Sequence, residues 1–160
     1  MGERQSDWES RVHWKRISEI FPNKSLFGHE GIKPDDVRQG YIGNCWFLAG
    51  AAAVAEVPDR LEKIFLNPSN RLSPNGIYGV NIWTLGVPHT VIVDDWLPVQ
   101  KWGNGYNTLF AHVGPDQALW MSILEKAFSK YHGNYDHIVA GNPMNALRTL
   151  HGAPWSSIWH

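Results

Sequence analysis

"DVRQGYIGNCWFLAGAAAVAE", residues 36–56, decides how the rest of the chain is read. Cys45, the only cysteine, stands where a loop punctuated by Gly40 and Gly43 gives way to an uncharged run ending at Ala55. Asn44 is placed to cap a helix running from about Asn44 to Glu56. A lone thiol is often just a small buried hydrophobe. At a helix start, however, unpaired N–H groups and the positive dipole end favour thiolate over thiol. The glycines let the loop turn sharply enough to leave the sulfur at the rim. Gln39, just upstream, carries an amide that can donate two hydrogen bonds. Together with the backbone N–H of Cys45 it makes a workable donor pair for a developing oxyanion. Thiol, helix end and upstream glutamine describe an acyl-transfer site.

Composition narrows the setting. A chain of 160 residues, 43% hydrophobic and 18% charged, has enough apolar content for one domain with a real core. Net charge is −1 and there is no basic run, which argues against a surface that tracks nucleic-acid phosphates. A single cysteine excludes an internal disulfide and suits a reducing, cytoplasmic compartment. The first residues, "MGERQSDWESRVHWKR", lack the apolar core of a signal peptide, and no apolar run approaches the roughly 20 residues of a membrane helix. Nine tryptophans are scattered along the chain, which suits dispersed packing better than one stacking platform.

Outside the opening stretch, residues 1–26 read as an N-terminal arm, with Trp14, Ile17 and Phe21 at helix-like spacing in "VHWKRISEIF". Pro58 opens a second helix, "PDRLEKIF". Two strand-like runs follow at 77–83 and 89–97, parted by Gly86 and Pro88. Residues 101–116 read as a long loop. "QALWMSILEKAFSKYHG" is an amphipathic helix ended by Gly133, and a short helix spans 142–152. Asp94 and Asp95, at a strand end, read as turn and anchoring residues. The chain closes on "APWSSIWH", whose Trp155 and Trp159 invite a covering partner or further chain. The fold class is α+β, mostly helical, with a short β-hairpin or small sheet.

The quoted motifs resemble one family. "QGYIGNCWFLAGAAAVAE" is similar to the catalytic-cysteine signature of the calpain cysteine proteases, Q-G-x-x-G-[DN]-C-W. "VHWKRISEIF", "TVIVDDWLPV" and "LWMSILEKAFSKYHGNYDHI" resemble, in the same order, three further segments of that family, so the resemblance runs from about Val12 to His151. It implies a papain-like fold, with residues 27–160 as the Cys-bearing catalytic subdomain. Cys45 would be the nucleophile and Gln39 the oxyanion donor of an endopeptidase acting on intracellular proteins.

A cysteine nucleophile needs a base. In the papain-like order that base is a His followed by an Asn, about 130–150 residues beyond the Cys, which lies past His160. No histidine after Cys45 fits, and nothing resembles the family's G-H-A or N-x-W segments. The chain therefore reads as a half-site, with a His/Asn-bearing subdomain as its implied partner. A non-catalytic, protein-binding module of the same family is the alternative. The resemblance also implies one calcium ion, held by the carbonyls of His29 and Gly31 and the carboxylate of Asp36. Where the family carries a further acidic ligand, this chain has Ala118 after Gln117, which weakens the site; Asp116 could compensate only if its loop shifts. His132 and His137, five apart in "HGNYDH", read as turn residues rather than a zinc site.

Overall fold

The computed structural model describes residues 12–67 and 69–154. Trp155 and Trp159 lie outside them. The architecture is α+β, the arrangement expected of the Cys-bearing half of a papain-like fold: four principal helices packed with a three-stranded sheet and a separate hairpin.

Helix α2 (Cys45–Ala55) is the central element, where helix α1 is Ile17–Ile20 and helix α3 is Pro58–Glu62. Its small residues let a neighbour approach closely. A Cβ on Gly50 would lie 2.5 Å from the Cβ of Ala146 on helix α5 (Pro143–His151), so only glycine permits this crossing. One turn before Gly50, α2 carries Phe47, stacked on Phe128 of helix α4 (Trp120–Tyr131), with ring centroids 3.9 Å apart. Such a pair adds about 0.5–1.5 kcal/mol beyond simple burial. Helix α4 is buried from Trp120 to Ser129 apart from Lys126, which reaches Asp94 and the carbonyl of Trp96. The ends of α5 match their sequence signals: Asn142 accepts the Met144 N–H at 2.9 Å, Pro143 follows, and Gly152 closes the helix at φ 68°.

Strands β2 (Ile77–Thr84) and β3 (Val87–Asp94) form an antiparallel hairpin. Leu85 and Gly86 turn it with φ of 51° and 82°, the paired positive angles of a two-residue type I′ connection. Pro88 sits within β3 opposite Trp83, tolerated because β3 pairs on one side only.

Three expectations are corrected. The segment 12–21 is not one helix: strand β1 (Val12–Arg16) pairs antiparallel with strand β4 (Trp96–Trp102), Trp14 opposite Pro98, before the short α1. The run 89–97 is not one strand either. It breaks at Asp95, which is 2% exposed, accepts from Arg16 Nη1 at 2.9 Å and presents its carbonyl to the Ile17 N–H. Asp94 accepts the Trp96 N–H at 2.9 Å, so the two acids do act as turn and anchor. Finally, residues 101–116 contain strand β5 (Gly105–Thr108), joined to β4 by a tight turn at Gly103 and Asn104.

Candidate active site

The loop carrying Gln39 is laid along residues 109–112 by backbone bonds. The His112 N–H donates to the Arg38 carbonyl at 2.9 Å and the Tyr41 N–H to the Leu109 carbonyl at 3.1 Å. Between them Gly40 meets the Phe110 carbonyl so closely that a Cβ there would overlap its oxygen. A second brace comes from the turn after α4. The Ala140 N–H donates to the Gly43 carbonyl at 2.9 Å, and Trp46 Nε1 donates to the Ile138 carbonyl at 2.9 Å. Gly141 lies against the Trp46 indole with no room for a Cβ. Trp46 is thus structural: it pins the start of α2.

Held this way, Cys45 is the first residue of α2 and is exposed. The N–H groups of a first helical turn have no carbonyl four residues earlier within the helix, and that of Cys45 is one of them. Gln39 is also exposed, and its amide reaches the residues just before the thiol. Nε2 donates to the Ile42 carbonyl and, at 3.4 Å, to Asn44 Oδ1. The side chain expected to face an oxyanion is therefore turned into its own loop, firmly by one N–H and weakly by the other.

Asn44 occupies the N-cap position of α2, yet its side chain makes no cap bond. It is fully buried, and Nδ2 donates to Glu125 Oε1 at 2.6 Å. Glu125, 2% exposed, also accepts the Ala111 N–H on Oε2 at 2.9 Å. Burial pushes its carboxyl up to about 7 despite these two donors. Sequence reasoning missed Glu125. The available signal was an acid at the spacing Ser122, Glu125, Ser129 on a helix otherwise apolar on that side, all three being buried.

Two grooves flank the loop. One of about 410 Å³ is lined by Gln39, Gly40, Gln100, Trp102 and His112 among others. The other, about 690 Å³ and mainly apolar, is lined by Trp14, Ile42, Gly43, Leu109, Phe110 and Val139 among others.

His112 Nδ1 lies 2.7 Å from the Thr108 carbonyl, and His137 Nδ1 lies 2.7 Å from the His132 carbonyl across the turn at Gly133. Among the described residues no group of three or more His, Cys, Asp or Glu side chains converges as a metal site.

The donor set implied for calcium is correspondingly poor. Asp36 is 2% exposed; its Oδ2 accepts from the Lys33 N–H at 3.0 Å and from Trp120 Nε1 at 3.2 Å. Its Oδ1 packs against Gly114, where a Cβ would come within 2.6 Å. Burial raises the Asp36 carboxyl above its usual range, and Asp116 adds to the rise. Asp116 itself accepts the Glu30 N–H at 2.6 Å, and its carbonyl accepts the His29 N–H at 3.1 Å. The Lys33 ammonium pairs with Glu30. Ala118 is buried and offers no side-chain oxygen. A hard cation wants roughly six to eight oxygens, and of the set His29, Gly31 and Asp36 the one side-chain oxygen donor is the enclosed Asp36 carboxylate, the other two residues offering their carbonyls.

Comparison with known proteins agrees with the motifs. A family model described as "Calpain family cysteine protease" matches residues 1–160. A protein named "Calpain" from Schistosoma mansoni is 34% identical over 149 residues, 91% of this chain and 19% of the relative. "Calpain-5" of Caenorhabditis elegans is 34% identical over 151 residues, 89% of this chain and 22% of the relative. "Calpain-type cysteine protease DEK1" of Zea mays is 33% identical over 150 residues, 91% of this chain and 7% of the relative. The chain spans about a fifth or less of the length of these relatives.

Proposed function

The chain belongs to the calpain family of cysteine proteases, and from that premise we propose that it is the nucleophile-bearing part of a thiol endopeptidase. The exposed sulfur at the first residue of a braced, buried helix carries this reading. In the complete site the Cys45 thiolate attacks the scissile carbonyl carbon. A C–S bond forms, and the carbonyl π pair moves onto oxygen, where the Cys45 N–H and the Gln39 amide receive it. Collapse expels the amine, which takes its proton from a histidine. We assign that histidine and its orienting Asn to a partner subdomain. The groove beside Gly43, lined by Ile42, Leu109, Phe110 and Val139, suits an apolar side chain of an extended polypeptide substrate. Gln39 must release its weaker hydrogen bond, at 3.4 Å to Asn44, to serve the oxyanion.

That inward-turned amide favours a second reading, a calpain-like module that binds protein without cutting it. Alkylation separates the two. Iodoacetamide should modify Cys45 faster than it modifies glutathione at neutral pH, the sulfur being exposed at the first residue of a braced helix. A rate no greater than that of glutathione would argue for the binding module. The 160-residue chain on its own should show no peptide turnover, and hydrolysis abolished by Cys45→Ala would overturn the assignment of the base to a partner.

Calcium takes no step in this reading. Millimolar calcium, or its removal by a chelator, is expected to leave the Tm of the chain unchanged, since a ligand stabilises only by binding the folded state. A calcium-dependent rise in Tm that disappears in Asp36→Asn would restore the metal site.

A further inference from the structure

A buried acid with no role in nucleophilic attack sits at the end of a polar chain leading to the thiol. Glu125 Oε1 accepts from Asn44 Nδ2 at 2.6 Å, and Asn44 Oδ1 faces Gln39 Nε2 at 3.4 Å. Resting on the peptidase reading above, we propose that Glu125 is a positioning residue: acting through Asn44, it sets which end of the Gln39 amide is presented to the oxyanion.

The argument is one of polarity. A carboxylate can only accept, so Asn44 must turn its NH2 toward Glu125 and its oxygen toward Gln39. That oxygen and the Ile42 carbonyl both accept from Gln39 Nε2, keeping the donor end of the Gln39 amide on the Asn44 side, next to the thiol residue. Adding a proton to Glu125 Oε1 reverses the logic. The new O–H can donate to Asn44 Oδ1, the Asn44 amide inverts, and its NH2 then draws the oxygen of Gln39 forward in place of the Gln39 Nε2 bond to the Ile42 carbonyl. A carbonyl oxygen facing a developing oxyanion repels it, where an N–H would stabilise it. Burial enforces the choice, because Asn44 is fully buried and Glu125 is 2% exposed, so bulk water does not compete for either partner.

The surroundings leave Glu125 as the group whose charge matters. From α2 it meets the neutral Asn44, and from the segment before α4 the backbone N–H of Ala111. Tyr135, in the turn after α4, is the ionisable neighbour, and burial together with Glu125 pushes its phenol far up, so it stays neutral. Asp94 also acts on Tyr135, while Lys126, next to Glu125 in sequence, is turned away and bonded to Asp94. His112, which follows Ala111, directs its Nδ1 to the Thr108 carbonyl.

The test is a pH titration of the 160-residue chain by NMR, following the side-chain amides of Asn44 and Gln39 and the carboxyl carbon of Glu125. All three should move with one shared midpoint. In Glu125→Gln the two amides should stop titrating, and in Asn44→Leu the Gln39 amide should stop while Glu125 still titrates. Asn44 and Gln39 signals that stay flat through the Glu125 transition of the unsubstituted chain would overturn the proposal, with no variant needed. So would amide titrations that persist unchanged in Glu125→Gln. The peptidase reading fails separately: an unreactive Cys45 with coupled amides sinks only that reading, and a reactive Cys45 with an uncoupled Gln39 sinks only the positioning role.

Discussion

Gly40→Ala is expected to destabilise the chain by about 3 kcal/mol and to slow alkylation of Cys45. Overpacking ordinarily costs about 1–3 kcal/mol, and this case belongs at the upper end because the obstruction is backbone. The added methyl would overlap the Phe110 carbonyl oxygen, which cannot swing aside. Residues on both sides of it are tied to the same loop, through the Tyr41 N–H to Leu109 O and the His112 N–H to Arg38 O. Relief therefore requires the 38–41 loop to lift away, carrying Gln39 with it. Alanine also stiffens the unfolded chain, a gain of about 0.4–1 kcal/mol that the clash must exceed. Urea denaturation measures the difference as a lowered midpoint at unchanged slope. A loss below about 1 kcal/mol would mean the loop stands clear of residues 109–110.

The second large effect is the pH dependence of stability that Glu125 contributes. Its carboxyl is raised in the folded chain from the usual 4.5 to about 7 by burial, with Ala111 N and Asn44 Nδ2 opposing the shift. The folded state thus holds the proton more tightly than the unfolded state. The stabilisation from this group is full below about 4.5 and is lost as pH rises through about 7. The interval corresponds to about 3 kcal/mol. Glu125→Gln should flatten the stability curve by that amount between these limits. Subtracting the two curves removes the contributions of other shifted groups, such as His132, whose depression by burial acts in the opposite sense. Glu125→Ala should behave differently. It strands the Asn44 amide and the Ala111 N–H in the interior, costing about 1–3 kcal/mol for each unpaired donor. Parallel stability curves for the unsubstituted chain and Glu125→Gln would show that Glu125 binds no proton on folding.

The legibility of the site follows the range of the interactions. Cys45 at a helix start could be read because glycines, a capping-type residue and an uncharged run are local signals, and the structure does start α2 at Cys45. Asn44 could be assigned to the cap position but not to its partner. Its side chain is bonded to a residue 81 positions away, and a buried amide takes the strongest acceptor within reach. Gln39 was legible as a donor near the thiol, while its bond to the Ile42 carbonyl depends on how the loop closes. For calcium, Asp36 looked available in sequence; Trp120 and Gly114, distant in the chain, enclose it in the fold.

By itself the sequence determined the helices α2, α4 and α5, the β2–β3 hairpin, and the placing of the lone thiol at the head of α2. Those features rest on periodicity, caps and turn residues that act over a few positions. The tertiary structure alone decided that Val12–Arg16 is a strand, that the Asp94–Asp95 step divides two sheets, and that Glu125 lies beneath the thiol loop. Each of these needs a partner brought from far along the chain. A strand edge, a buried carboxylate or an inward-facing amide is stable only when its complement is already packed against it.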